Sequence, residues 1–229
     1  MVTHQLVNVG PLAFGGVFAA IGLLSVGPLA LIILVVANRA EPDARGMRPF
    51  TVYLFGMAFV TLLLAYGGLT AIVTALLSFI GPHPAPIADG VARSVVIGAL
   101  FLLIAGATMG VHVRKGLAFA RGDGRVDGPN ARVLHTYIAT VSFVFVVLAM
   151  VALGVGVYLL FQLIGPGIFG LSGGDRTTTL RLLLDVAYVL VASGAIIAAH
   201  WRQSPPGLMR SAVAHTTPPG AAVSPPPAS

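Results

Sequence analysis

Five apolar stretches, at about 11–37, 50–80, 94–113, 136–164 and 179–200, take up most of the chain, and short polar segments rich in arginine, glycine and proline separate them. Each reaches the roughly 20 residues that a helix needs to cross a ~30 Å hydrocarbon core. None alternates strictly as a barrel strand does, so satisfaction of the backbone in lipid predicts a helix for each. The stretches at 50–80 and 136–164 exceed a single crossing and predict tilt or extension beyond the lipid. The expected fold is all-α: a polytopic membrane protein with five transmembrane helices.

No cation precedes the first stretch, and Arg39, Arg45 and Arg48 follow it, an order of charges that fits a retained anchor rather than a cleaved leader. Pro28 after Gly27 predicts a kink in that helix. Residues 1–45 are expected to form an N-terminal transmembrane anchor and 46–203 a four-helix membrane domain. The segment 204–229, ending in SPPPAS, is rich in proline and alanine; it buries too little to offset its ordering entropy and is expected to be a disordered cytoplasmic tail.

The four later stretches contain an internal repeat. RPFTVYLFGMAFV, from Arg48, answers RVLHTYIATVSFV, from Arg132, with Tyr53 and Tyr137, Phe59 and Phe143, and Val60 and Val144 in register. SFIGP at 78–82 then answers QLIGP at 162–166, and after a shift Arg93 answers Arg181, Gly106 Gly194, His112 His200 and Arg114 Arg202. The repeats, about 48–114 and 132–202, each describe a helical hairpin that enters and leaves on the same side. Parallel hairpins are not the inverted repeats that build many alternating-access transporters.

Composition agrees with a lipid environment: 57% of the 229 residues are hydrophobic and 9% charged, where a soluble domain carries about a quarter. The apolar runs leave no room for a separate soluble catalytic unit. Without cysteine the chain has no disulfide, thiolate metal site or cysteine nucleophile. The net charge of +6 suggests nucleic acid until its distribution is traced. Arg39, Arg45, Arg48, Arg114, Lys115, Arg121, Arg125, Arg132, Arg202 and Arg210 fall on one side of the predicted spans, and Arg93, Arg176 and Arg181 on the other. By the positive-inside rule the protein is expected in the cell membrane as a multi-pass protein, N-terminus outside and C-terminus cytoplasmic. Anionic inner-leaflet lipid is a sufficient partner for these cations, and no nucleic acid is called for.

The hairpin starts RPFTVY and RVLHTY, together with the ends GVHVRK and AAHWRQ, resemble an uncharacterised bacterial family of duplicated membrane hairpins, a domain of unknown function. The resemblance covers about 45–203, with Val113 in the first copy where the pattern has Trp. It implies the hairpin fold and no activity.

Arg48, Tyr53, Arg93, Arg114, Arg132, Tyr137, Trp201 and Arg202 are expected as interface anchors, since aromatic rings with a polar edge suit the headgroup belt and arginines snorkel to phosphate. Gly106 and Gly110, matched by Gly194 and Ala198, form small-residue faces expected to pack helices within or between hairpins.

His112 and His200, at equivalent positions, are candidate axial ligands for haem b. Asp185 is the one carboxylate inside a predicted span, and Arg181, one turn earlier, is its expected ion-pair partner near the outer surface. Thr70, Thr74, Ser142 and Gln162 are expected to bond neighbouring helices or their own backbone. The loop RGDGRVDGPNAR, with Asp123 and Asp127, lacks the spacing of a calcium or phosphate loop and predicts a turn ending at Asn130 as a helix N-cap; His83 and Asp89 share another loop.

No catalytic or metal constellation assembles. The expected function is therefore a non-enzymatic structural or accessory membrane subunit with membrane protein partners or a second copy of itself. A haem-binding electron carrier and a small-solute or proton carrier are the alternatives.

Overall fold

The computed structural model describes residues 46–80, 88–122, 128–172 and 175–203, which are helical and contain no strand. The helices are α1 (Arg48–Leu77), α2 (Ala88–Gly122), α3 (Pro129–Ile164), the single turn α4 (Pro166–Phe169) and α5 (Arg176–Trp201). The four long ones are each long and apolar enough to cross a membrane. The expected anchor at 11–37 with Pro28, the cations Arg39, Arg45, Arg125 and Arg210, His83, Asp123, Asp127 and the tail 204–229 lie outside the described residues.

The polar ends of α2 and α3 are helical well past the predicted spans. α2 continues nine residues beyond 113 and α3 begins seven before 136, extensions of ~13 and ~10 Å at 1.5 Å per residue. They are held by packing: Ala120 on one and Val133 and Leu134 on the other are buried in the core. Asn130 is not the N-cap of α3. Gly128 holds that place in extended conformation, Pro129 supplies the fixed φ of the first turn, and Asn130 lies buried inside it.

α1 packs chiefly on α2, and α3 on α5, so each hairpin is a packing unit; α1 and α3 also meet each other and form the centre. The core gathers Phe55, Phe59, Leu62, Tyr137, Val141 and Phe145, all in the halves of α1 and α3 nearer their N-termini. This end of the bundle, where Tyr53 and Tyr137 lie, is called the tyrosine end below, and the end of the α1–α2 and α3–α5 connections the turn end.

The closest backbone approach is at Gly68 and Gly98. A Cβ on Gly68 would stand 2.6 Å from Gly98 O, and one on Gly98 would stand 2.6 Å from Gly68 O. Only residues without side chains let α1 and α2 cross here. The small-residue faces expected to pack helices meet no other described helix: among the described residues nothing lies within 4 Å of where a Cβ would stand on Gly106, Gly110 or Gly194, and Ala198 is exposed. Helix packing within the chain uses Gly68, Gly98 and Gly156 instead, the last facing Val186.

Candidate functional site: two intramembrane polar junctions

At the tyrosine end, each hairpin brings its tyrosine to its histidine. Tyr137 Oη lies 3.0 Å from His200 Nε2, and the Tyr53 ring meets His112 edge-on with centroids 6.0 Å apart. Both histidines place Nδ1 2.8 Å from the carbonyl four residues earlier, Thr108 O for His112 and Ile196 O for His200. Each tyrosine thus meets the histidine of its own hairpin, and both histidines make the same contact with their own helix backbone.

Their surroundings differ. Tyr53 is 53% exposed, as an interfacial ring would be, whereas Tyr137 is 1% exposed and stacks on Phe55 at 4.9 Å. Tyr137 is therefore a core residue and not a headgroup anchor. Arg48 is likewise buried at the start of α1, while Arg93, Arg114, Arg132, Trp201 and Arg202 are exposed. Both ring nitrogens of His200 are engaged, so axial ligation of haem iron through Nε2 would first displace Tyr137. The two histidines are on α2 and α5, the second helices of separate hairpins, which are not principal packing partners.

The second junction lies where α1 crosses α5. Thr74 Oγ1 donates to Asp185 Oδ1 at 3.1 Å, and Arg181 acts on that carboxylate through its charge. Arg181, the ion-pair partner expected along the same helix, acts at a distance, and the hydrogen bond to Asp185 is made between hairpins by Thr74. Asp185 is nine residues into α5, ~14 Å from its start and ~5 Å from its midpoint.

One turn deeper, Thr70 Oγ1 donates to Tyr66 O at 2.8 Å, which uses its only hydrogen. The 3.3 Å contact between Thr70 Oγ1 and Tyr188 Oη is therefore donated by the tyrosine. Tyr66 stacks on Tyr188 at 6.4 Å, with planes 12° apart. Among the described residues Arg181 Nε is buried without a hydrogen-bond partner, and Tyr66 Oη and Ser193 Oγ, buried and within reach of one another, make no hydrogen bond of good geometry.

Of the remaining polar residues, Gln162 Oε1 accepts from Ser172 Oγ at 2.6 Å in the α3–α5 connection, and Ser142 Oγ is buried without a partner. Thr51 Oγ1 lies 2.8 Å from Asn130 Oδ1 and ties the two hairpins at the tyrosine end. Tyr66, Tyr188 and Ser193 were not singled out by sequence reasoning. Tyr66 stands one and two turns before Thr70 and Thr74, a polar stripe at helical spacing that signals the junction. Among the described residues no group of three or more His, Cys, Asp or Glu is placed to hold a metal.

Comparisons with protein-family models, curated proteins and solved structures find no match to this chain.

Proposed function

We propose that this chain is a non-enzymatic accessory subunit of the cell membrane, N-terminus outside and C-terminus cytoplasmic, that packs against another membrane helix. The observation that supports it is the open small-residue faces of α2 and α5. Among the described residues nothing stands above Gly106, Gly110 and Gly194, and exposed Leu103, Ile104 and Val191 flank them. Small residues let a second helix approach closely enough for van der Waals contact, the main driving force between helices in lipid. The cations at the tyrosine end add attraction to anionic inner-leaflet lipid. The duplicated hairpins, in the proposed family of such proteins, supply two such faces.

The chain has no cysteine, so single replacements report without background. Gly106→Cys and Gly194→Cys, cross-linked in native membranes, are expected to capture a neighbour, either another protein or a second copy. Leu103→Cys and Val191→Cys border the faces and are expected to react less. Monomer alone from every position overturns the proposal. An absorption spectrum of protein made with ample haem tests the electron-carrier alternative: a Soret band lost in His200→Ala would replace the accessory reading.

A further inference from the structure

The α1–α5 junction carries more polar chemistry than holding two helices together requires. From the turn end inward it presents Thr74 with Asp185, then Thr70 with Tyr188, then Tyr66 with Ser193, a ladder of oxygens ~12 Å long from Asp185 to Ser193. Ser193 is fully buried, and its Oγ faces Tyr66 Oη within reach of a hydrogen bond whose geometry is poor. Two buried hydroxyls that reach one another without a hydrogen bond of good geometry, beside a half-buried carboxylate, are a setting in which ordered water can bridge polar groups.

The ladder is closed at one end. Toward the tyrosine end, Phe145 meets the Tyr66 ring edge-on at 5.2 Å, and Phe59, Leu62, Val141 and Val144 fill the core behind it. This packing blocks a path for water from the tyrosine end to Asp185, so the site proposed below is reached from the turn end.

The junction is also one-sided. In the sequence repeat Met150, Gly154 and Tyr158 stand where α1 has Tyr66, Thr70 and Thr74, and Ile97 stands where α5 has Asp185. A feature that served only to join helices would be needed at both equivalent crossings. This asymmetry rests on the repeat and not on the accessory reading.

We propose that the α1–α5 junction is a hydrated proton-binding site in which Asp185 takes the proton. A hydronium at the turn-end face gives its proton to the Asp185 carboxylate, leaving a neutral carboxylic acid and water. Thr74 holds one carboxylate oxygen, and Tyr188, Thr70, Tyr66 and Ser193 hold the water behind it. The charged or titratable groups facing Asp185 are Arg181 and Tyr188 on its own helix, and Tyr66 on α1 faces Tyr188 in turn. At this depth α3 brings Gly156 against Val186, and no Asp, Glu, Lys or Arg follows Arg132 along it. Ionisable groups inside membrane spans are functional-site candidates by default, and proton relays are among their roles.

Infrared difference spectra of the full chain in proteoliposomes test this, with pH changed on one face at a time. Gly122→Cys, labelled by an impermeant reagent, identifies the tyrosine-end face whichever way the protein inserts. A protonated-carboxyl band is expected on acidifying the turn-end face only. It is lost in Asp185→Asn and kept in Asp185→Glu, and in Thr74→Val it moves to higher wavenumber because its carbonyl loses a hydrogen bond. A band unchanged by Asp185→Asn, no band while the protein stays folded, or a response only from the tyrosine-end face overturns the proposal. Cross-linking at Gly106 and Gly194 is independent of every one of these outcomes.

Discussion

Tyr137 donates its hydroxyl hydrogen to His200 Nε2 across the second hairpin. The direction follows from the other side of the ring: His200 Nδ1 lies 2.8 Å from Ile196 O, and a carbonyl can only accept. The neutral imidazole thus carries its hydrogen on Nδ1, and Nε2, 3.0 Å from Tyr137 Oη, accepts. His112 makes the same Nδ1 bond, to Thr108 O, but meets Tyr53 through ring edges.

This contrast predicts unequal costs for one chemical change. Tyr137→Phe leaves His200 Nε2 without a donor in a buried site and is expected to destabilise the protein by ~1–3 kcal/mol. Tyr53→Phe removes a hydroxyl from an exposed ring and is expected to change stability by less than ~0.5 kcal/mol. Denaturant titration of both variants in mixed micelles measures the difference. Equal costs would mean that the Tyr137–His200 bond adds nothing to folding.

The crossing of α1 and α2 predicts a steric threshold. Gly68→Ala and Gly98→Ala each place a Cβ 2.6 Å from a backbone oxygen of the other helix, and backbone cannot rotate aside as a side chain can. Each is expected to cost ~1–3 kcal/mol, as overpacking does. Gly106→Ala and Gly110→Ala, with open space around them, are expected to leave the isolated protein's unfolding midpoint unchanged. The glycine series in one detergent, read by thermal unfolding, separates the two classes.

The four long helices that the structure describes were legible because an unbroken apolar run of helix length has one solution in lipid. The helical extensions of α2 and α3 were not, since Arg114, Lys115 and Arg121 raise the polarity of 114–122 while Ala120 is buried. Hydropathy averages over a helix, whereas packing depends on one face of it. The repeat paired Tyr53 with Tyr137 and His112 with His200, and the tyrosine and histidine of each hairpin do meet. Their different burial was invisible at those positions. It arises two residues on, where Phe55 stacks on Tyr137 while its counterpart in the repeat, Ala139, has no ring to offer Tyr53. The α1–α5 junction was half legible: Asp185 stood out by charge, but the partner that binds it, Thr74, is 111 residues away.

Thr51 and Asn130 predict a coupling between hairpins. Thr51 Oγ1 is fully buried 2.8 Å from Asn130 Oδ1, which fixes the hydroxyl as donor, and Met47 O at 3.2 Å is its alternative acceptor. Thr51→Val and Asn130→Leu are each expected to destabilise the protein by ~1–2 kcal/mol. The double variant is expected to cost less than the sum of the two, because each single change leaves a buried polar group stranded. A double-mutant cycle checks the sign, and strict additivity would show that the contact does not couple the helices.

The start of α5 predicts a pH dependence of defined sign. Asp175 is the N-cap, and its carboxylate accepts from Thr178 N–H and Thr178 Oγ1, both at 2.7 Å. These hydrogen bonds, the side-chain one first, hold the carboxyl below its ordinary value. A group whose pKa falls on folding contributes stability that is fully present above the unfolded value, ~3.9 for Asp, and is lost as pH falls through the lower folded value. The first turn of α5 is therefore expected to keep its cap at neutral pH and to fray below about pH 4. Asp175→Ala is expected to lower the thermal midpoint at neutral pH, and the gap to the wild type should close on acidification, since protonated Asp175 caps poorly. A gap that persists undiminished at acid pH would mean that the carboxylate charge has no part in holding α5 to its turn.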